Sequence, residues 1–380
     1  MDFKLTEEQE LIRANMREFC EKYVDPVAVE IDENSRYPAE IIAKLAEMDW
    51  MGMPYPQEYG GAGLNYLTYT MVIEELSRSC AATGFTLSCH IGLASGPIYN
   101  FGNEEQKQKY LTPLCQGEHI GAFALTEPGA GTDVGAGSTT AVLDGDEYIL
   151  NGTKTFTSNG PVADTFVVFA ITDKTQSAAR GMSAFIVPKD APGFKVGEHF
   201  YKMGIRASQT SEIILNDCRI PKENLLGKEG QGFRIAMQTL DNGRIGVAAQ
   251  AIGIAQAALD ESISYSKERI QFGKPISKNQ AIQWMLADMA TDIAAARFLT
   301  YNAAYLKDQG LPYTKDASMA KLFAAEMASR HASKAVQIHG GYGYIKGFKV
   351  ERLMRDAKIT EIYEGTSEAQ RMVIAANLLR

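Results

Sequence analysis

Residues 355–370 read R-D-A-K-I-T-E-I-Y-E-G-T-S-E-A-Q, and Glu364 stands among them between Tyr363 and Gly365. Ser367 followed by Gln370 is a capping-box pattern, which predicts a helix starting at about Ser367. Glu364 then lies just outside that helix, on a turn that Gly365 makes permissive. An acid there can complement the helix dipole. Its neighbours Ile362 and Tyr363 offer a second role, because a desolvated carboxylate has a raised pKa. Raised towards neutrality, it becomes a competent general base.

Four other stretches carry groups able to hold a ligand. In L-D-N-G-R-I-G-V-A-A-Q, residues 240–250, Asp241 and Arg244 are three apart and share a helix face. A self-paired surface Asp–Arg is the plain alternative. Gly243, Gly246 and Gly253 each cost a helix roughly 1 kcal/mol relative to Ala, which suggests a ligand or another helix approaching closely. In R-I-Q-F-G-K-P-I, residues 269–276, Arg269 sits at a helix end before a turn. Its planar fork suits phosphate, and it equally suits a helix C-terminal dipole. Q-I-H-G-G-Y-G-Y, residues 337–344, ends a helix in glycines. Gly340 reads as a cap, whereas Gly341 and Gly343 ask for a backbone lying against a planar group. G-A-F-A-L-T-E-P-G-A-G-T-D, residues 121–133, reads as a strand and a glycine loop. A Rossmann phosphate site is excluded by the spacing after Gly131, by Pro128 inside the loop and by the hairpins that follow. The loop can still lay N–H groups against a ligand, or be a simple strand-end turn.

Three regions must position these residues. Residues 1–120 are helical: Thr6 and Gln9 form a capping box, and Pro38 stands near the start of another helix. Residues 121–230 switch to period two, with T-F-V-V-F-A-I-T, M-S-A-F-I-V-P and S-E-I-I-L-N as strands. Asp144-Gly145 and Asn151-Gly152 are both hairpin signals, so an antiparallel barrel or sandwich is expected. Residues 231–380 return to long helices: Gly232 to Glu268, Asn279 to Asp308, Lys315 to His339, and one after Ser367. Four such helices read as a bundle.

Composition removes other classes. The 380 residues hold 38 Lys and Arg against 46 Asp and Glu, for a net charge of −8 and no basic block. Nucleic-acid binding needs clustered cations and is excluded. Five cysteines without a C-x-x-C pair argue for reduced thiols in a reducing compartment. Five histidines without ligand spacing leave no metal site. The acidic start M-D-F-K-L-T-E-E-Q-E is neither a signal nor a transit peptide, and no apolar run spans a bilayer. A cytoplasmic protein is expected, or a mature form already freed of a leader.

Six motifs in order resemble the acyl-CoA dehydrogenase flavoprotein family along essentially the whole chain. They are L-T-E-P-G-A-G-T-D, K-T-F-T-S-N-G, Y-K-M-G-I-R-A-S-Q-T, R-I-Q-F-G-K-P, Q-I-H-G-G-Y-G-Y and I-Y-E-G-T. The likeness is nearest to the short-chain, butyryl-CoA branch. It implies an N-terminal helical domain (1–120), a middle antiparallel β-barrel (121–230) and a C-terminal four-helix bundle (231–380), with FAD between barrel and bundle. It implies that Phe123, Leu125, Thr126, Thr132, Phe156 and Ser158 line the flavin and its ribityl chain. Arg269, Gln271, Phe272, Gln280, Gln337, Gly340 and Gly341 would hold the pyrophosphate and adenosine end, partly from a neighbouring subunit, and Thr366 and Glu368 would complete that site. Asp241, Arg244, Tyr363, Gly365 and Thr132 would face the CoA thioester, and Glu364 would take its α-proton. A homotetramer built as a dimer of dimers and an electron-transferring flavoprotein partner are further implications, as is net reduction of an enoyl-CoA in an anaerobe. An acyl-CoA oxidase, an aryl-enoyl-CoA reductase and a non-catalytic flavin-binding subunit are the alternatives on this scaffold. Two departures stand out: Phe156 replaces the Trp of many members, and His339 replaces an apolar residue.

Overall fold

The computed structural model describes residues 4–379; residues 1–3, with which the N-terminal reading begins, and residue 380 lie outside the described residues. The Glu7–Phe19 helix opens with the expected box: the Gln9 N–H donates to the Thr6 hydroxyl at 3.2 Å, and the Thr6 N–H donates back to Gln9 at 3.0 Å. The Tyr66–Ser79 helix is buried nearly all round, so it lies between other helices rather than on a surface. Its first N–H groups, on Tyr66 and Leu67, donate to the Asp308 carboxylate at 2.7 and 3.0 Å. A residue from the far end of the chain thus caps an N-terminal helix. One apolar core joins both helical regions, with Ile73 and Leu76 on one side and Ile252, Ile254 and Met327 on the other.

The middle region forms one sheet of eight strands: Gly121–Ala124 (β1), Thr140–Asp144 (β2), Glu147–Ser158 (β3), Thr165–Ile171 (β4), Met182–Pro188 (β5), Phe194–His199 (β6), Thr210–Pro221 (β7) and Leu225–Leu226 (β8). The order is β6-β7-β3-β2-β4-β5-β8, with β1 beside β4. Two expectations need correction. The sheet is mixed rather than antiparallel, because β1 and β2 both pair with β4 in parallel. Asn151-Gly152 is not a hairpin. It lies inside β3, where the register with β7 shifts between Leu150 and Gly152. A Cβ on Gly152 would sit 2.4 Å from the Thr139 hydroxyl, so the glycine serves a bulge and a close crossing. Asp144 and Gly145 do make the expected β2–β3 hairpin.

The C-terminal helices run Gly232–Glu268, Gln280–Asp308, Thr314–His339 and Ser367–Leu378, close to the expected bounds. A further helix, Lys349–Ile359, was not anticipated; it delivers the chain to the Glu364 turn. Gly246 and Gly253 lie where the long helix crosses its N-terminal neighbours. A Cβ there would be 2.3 Å from the Ser88 hydroxyl and 2.3 Å from the Glu74 carbonyl. Close helix packing explains both glycines. No helix among the described residues is long and apolar enough to cross a membrane.

Candidate active site

Glu364 sits on a tight turn after the Lys349–Ile359 helix. Its φ is 55° and that of Gly365 is 92°, both left-handed. Glycine tolerates this; a glutamate is held there only by its surroundings. The Tyr363 ring stacks on Phe85 with centroids 4.3 Å apart, and its hydroxyl donates to the Gln250 side chain. Ser367 is the first helical residue rather than the cap. Thr366 is the N-cap, its hydroxyl accepting from the Ala369 N–H at 3.2 Å. Gln370 makes no capping box either. Its amide turns back to donate to the carbonyls of Glu364, at 3.3 Å, and Gly365, at 2.9 Å.

The Glu364 carboxylate faces the long helix at Gly243, where a Cβ would lie 2.5 Å from Oε2. This glycine makes room for the acid, whereas Gly246 and Gly253 make room for helices. Oε2 is buried and has no hydrogen-bond partner. Burial pushes the carboxyl up to about 7, against the opposing pull of Lys321 and Arg244. An unpartnered carboxylate that ionises near neutrality is equipped to accept a proton.

Asp241 and Arg244 pair with each other at 2.5 Å, as expected, but the pair is buried, at 8% and 6% exposure. The surface reading of this pair is therefore wrong. Thr314 donates to the second Asp241 oxygen at 2.6 Å, and burial lifts Asp241 above its ordinary range. Arg244 Nε keeps no partner. Next to the pair, the Asn242 side-chain oxygen accepts from Lys307 Nζ and the Tyr313 hydroxyl, each at 2.6 Å. Asp241, Asn242, Lys307, Tyr313 and Thr314 border a cavity of about 820 Å³ that Tyr66, Arg234 and Gln238 also line. Lys321 and Lys307 were missed because lysine ordinarily reads as surface. The signal for Lys321 was available: it stands among Ala317, Ala320 and Ala324, on the apolar stripe of its helix.

On the middle sheet, the Thr155 N–H donates to the Thr126 carbonyl at 2.8 Å, which joins the β1 turn to β3. Phe123 packs its ring 5.0 Å from Phe169, and Leu125, just past β1, and Ser158, at the end of β3, are half-buried. Phe156 has a φ of 53° and stands 65% exposed, its ring 5.0 Å from Phe200. Gly129, Gly131 and Thr132 are exposed on the loop. Holding that loop is a buried pair that sequence reading missed: Lys154 Nζ meets Glu127 at 2.7 Å. Glu127 also accepts from the N–H groups of Ser138 and Thr139, at 2.6 and 3.1 Å.

A second cluster lies elsewhere on the chain. Arg269, Gln271, Gly340 and Gly341 line a cavity of about 560 Å³, with the Arg269 guanidinium 5.4 Å from the Tyr342 ring. Gln280 and Gln337 are exposed, and Phe272 is 99% exposed at the turn tip. Gly343 is explained by packing, since a Cβ would meet the Val336 carbonyl at 2.5 Å; Gly341 has open space around it. His339 is a satisfied helix-end histidine. It is buried, hydrogen-bonds through Nδ1 to the Ala335 carbonyl at 2.8 Å, and stacks on Tyr265; burial keeps it below its usual range. Thr366 and the exposed Glu368 lie at the start of the last helix, beside the Glu364 turn.

Comparison with known proteins decides the family. The acyl-CoA dehydrogenase N-terminal, middle and C-terminal domain families match residues 6–118, 122–218 and 230–379. The chain belongs to the acyl-CoA dehydrogenase family. It is 56% identical over 380 residues to the short-chain specific acyl-CoA dehydrogenase of Clostridium acetobutylicum, covering 100% of both chains. Among solved structures, it superposes with a TM-score of 0.98 on butyryl-CoA dehydrogenase from Megasphaera elsdenii, at 48% identity and full coverage of both chains. It also superposes with a TM-score of 0.99, at 56% identity and full coverage of both, on a chain solved in a study of the electron transferring flavoprotein of Acidaminococcus fermentans and flavin-based electron bifurcation.

Proposed function

We propose that this chain is an FAD-dependent short-chain acyl-CoA dehydrogenase in which Glu364 is the catalytic base. The observation that supports the base most directly is the buried, unpartnered Glu364 Oε2 with its carboxyl at about 7. FAD, when bound, supplies a two-electron acceptor for the hydride that leaves the substrate β-carbon. The rest falls to the chain. Glu364 takes the α-proton onto a carboxylate oxygen, and the electrons of that C–H bond form the new carbon–carbon double bond as the β-hydride departs. The negative charge developing at the thioester oxygen needs donors, and we assign the backbone N–H of Glu364 as one of them. Asp241 and the Lys307–Asn242–Tyr313 cluster border the cavity we assign to the CoA ester, and we assign Arg244, Thr132, Tyr363 and Gly365 to the thioester end beside Glu364.

The residues present fit the flavin in two places. Phe123, Leu125, Thr126, Thr132, Phe156 and Ser158 offer an aromatic face, hydroxyls and a glycine loop that stands open. Arg269, Gln271 and the open backbone at Gly340 and Gly341 suit a pyrophosphate, since Arg donates a bidentate fork and a bare backbone permits close approach. Phe272, Gln280, Gln337, Thr366 and Glu368 are assigned to the same end. A turn whose Phe272 is almost wholly exposed supports burial against another copy, and hence a homotetramer built as a dimer of dimers. Domain boundaries near residues 120 and 230, closure of the middle sheet into a barrel, a cytoplasmic location and exchange of electrons with an electron-transferring flavoprotein complete the reading. Enoyl-CoA reduction is the same chemistry run backwards.

The test is anaerobic bleaching of the flavin absorbance by a panel of acyl-CoAs from C4 to C16. Bleaching by butyryl-CoA, lost in Glu364→Gln with the flavin retained, is expected. Bleaching of the variant at the rate of the unaltered protein would sink the assignment of the base. Rapid oxygen consumption with acyl-CoA would favour the oxidase alternative instead.

A further inference from the structure

The base turn is gripped from behind. Lys321 is wholly buried, and its Nζ donates to the Gly365 carbonyl at 2.7 Å. Gln370 is wholly buried as well and donates to that carbonyl at 2.9 Å and to the Glu364 carbonyl at 3.3 Å. Both carbonyls belong to the two left-handed residues of the turn. A buried ammonium ordinarily meets a carboxylate. Among the described residues, Lys321 has no carboxylate partner within ion-pair distance. Its charge is spent on the peptide that carries Glu364.

We propose that Lys321 and Gln370 are positioning residues for the base, holding the Gly365 carbonyl from two sides so that the Glu364 carboxylate stays aimed past Gly243 into the site. This rests on the reading of Glu364 as the base. The two act differently: Gln370 supplies geometry alone, and Lys321 supplies geometry and positive charge. The charge matters because few cations face Glu364. On the Gly232–Glu268 helix, Arg244 is already matched by Asp241. On the N-terminal helices, Cys89 and Tyr69 face it as neutral groups. On its own segment stand Tyr363, Glu361 and the exposed Glu368, and Glu361 is occupied by Lys358. On the Thr314–His339 helix, Lys321 is the remaining cation, and it acts on Glu364 to favour the ionised form.

The experiment follows the Glu364 carboxyl by infrared difference titration of the flavin-loaded chain, with Glu364→Gln as the blank, alongside flavin bleaching by butyryl-CoA. Lys321→Met is expected to move the carboxyl midpoint up by about one pH unit, which would cut the ionised fraction at pH 7 from about a half to about a tenth. Lys321→Arg, which keeps the charge, should restore most of it. Gln370→Leu should leave the midpoint in place and slow bleaching about tenfold without raising KM. An unmoved midpoint in Lys321→Met, or bleaching by Gln370→Leu at the rate of the unaltered protein, would overturn the proposal. Should Lys321→Met fail to fold, Gln370→Leu and Lys321→Arg still decide it. Should Glu364→Gln itself bleach normally, the reading of the base fails instead, which is a separate outcome.

Discussion

Two glutamates whose carboxylates are drawn out of water have opposite fates. Glu127, in the loop after β1, is desolvated, yet Lys154 and the donors from Ser138 and Thr139 outweigh that and hold its carboxyl at about 2. Glu364, on the turn before the last helix, is desolvated with no partner on Oε2 and rises to about 7. Burial penalises the charge in both; the partners decide the sign. One acid therefore holds a loop in place, and the other is the one we propose as the base. The fully satisfied glutamate is inert because it is satisfied. The other keeps a raised pKa because the fold gives it room, through Gly243, and no donor on Oε2.

That contrast is broken by experiments of graded effect. Glu364→Gln should lower kcat by at least about 10²–10⁴-fold, the usual contribution of a positioned base, while the flavin spectrum is kept; steady-state turnover with butyryl-CoA measures it. Glu127→Gln leaves Lys154 buried without its countercharge and should cost about 3–5 kcal/mol of stability, read by denaturant unfolding. Gly243→Ala should displace the carboxylate and cut kcat about 100-fold, with circular dichroism unchanged. Smallest is a stability effect of the proposed base itself. A carboxyl raised in the fold costs nothing below its ordinary pKa, and the cost grows as pH rises from about 4.5 towards 7. Glu364→Gln should thus be the more stable protein at pH 8, by on the order of 2–3 kcal/mol, and the gap should close near pH 4.5. Melting curves at the two pH values check this.

How much of this could be read beforehand differs by kind of signal. The long helices after Gly232 were legible because their apolar residues recur at helical spacing, and the Asp144-Gly145 turn because its chemistry is local. Asn151-Gly152 misled for the same reason: the pair favours a turn locally, but the strand continues through it and Thr139 crosses at the glycine. Ser367 and Gln370 fitted a capping box, yet the neighbouring Thr366 took the cap and Gln370 was drawn to the base turn. The Glu127–Lys154 pair joins a loop residue to a residue of β3 27 positions further on, which no periodicity encodes. Glu364 was legible as a candidate from its apolar neighbours and Gly365. Its partnerless oxygen was not, because that depends on Gly243 more than a hundred residues away in the chain.

The central claim is that the fold holds Glu364 as an unpaired acid poised near neutrality against the substrate. Stopped-flow bleaching of the flavin by butyryl-CoA, recorded from pH 5 to pH 9, tests it most directly. A rate that rises with a midpoint near pH 7 and collapses in Glu364→Gln is the predicted result. A midpoint at the ordinary carboxylate value, or a pH profile that the substitution leaves unchanged, would contradict it.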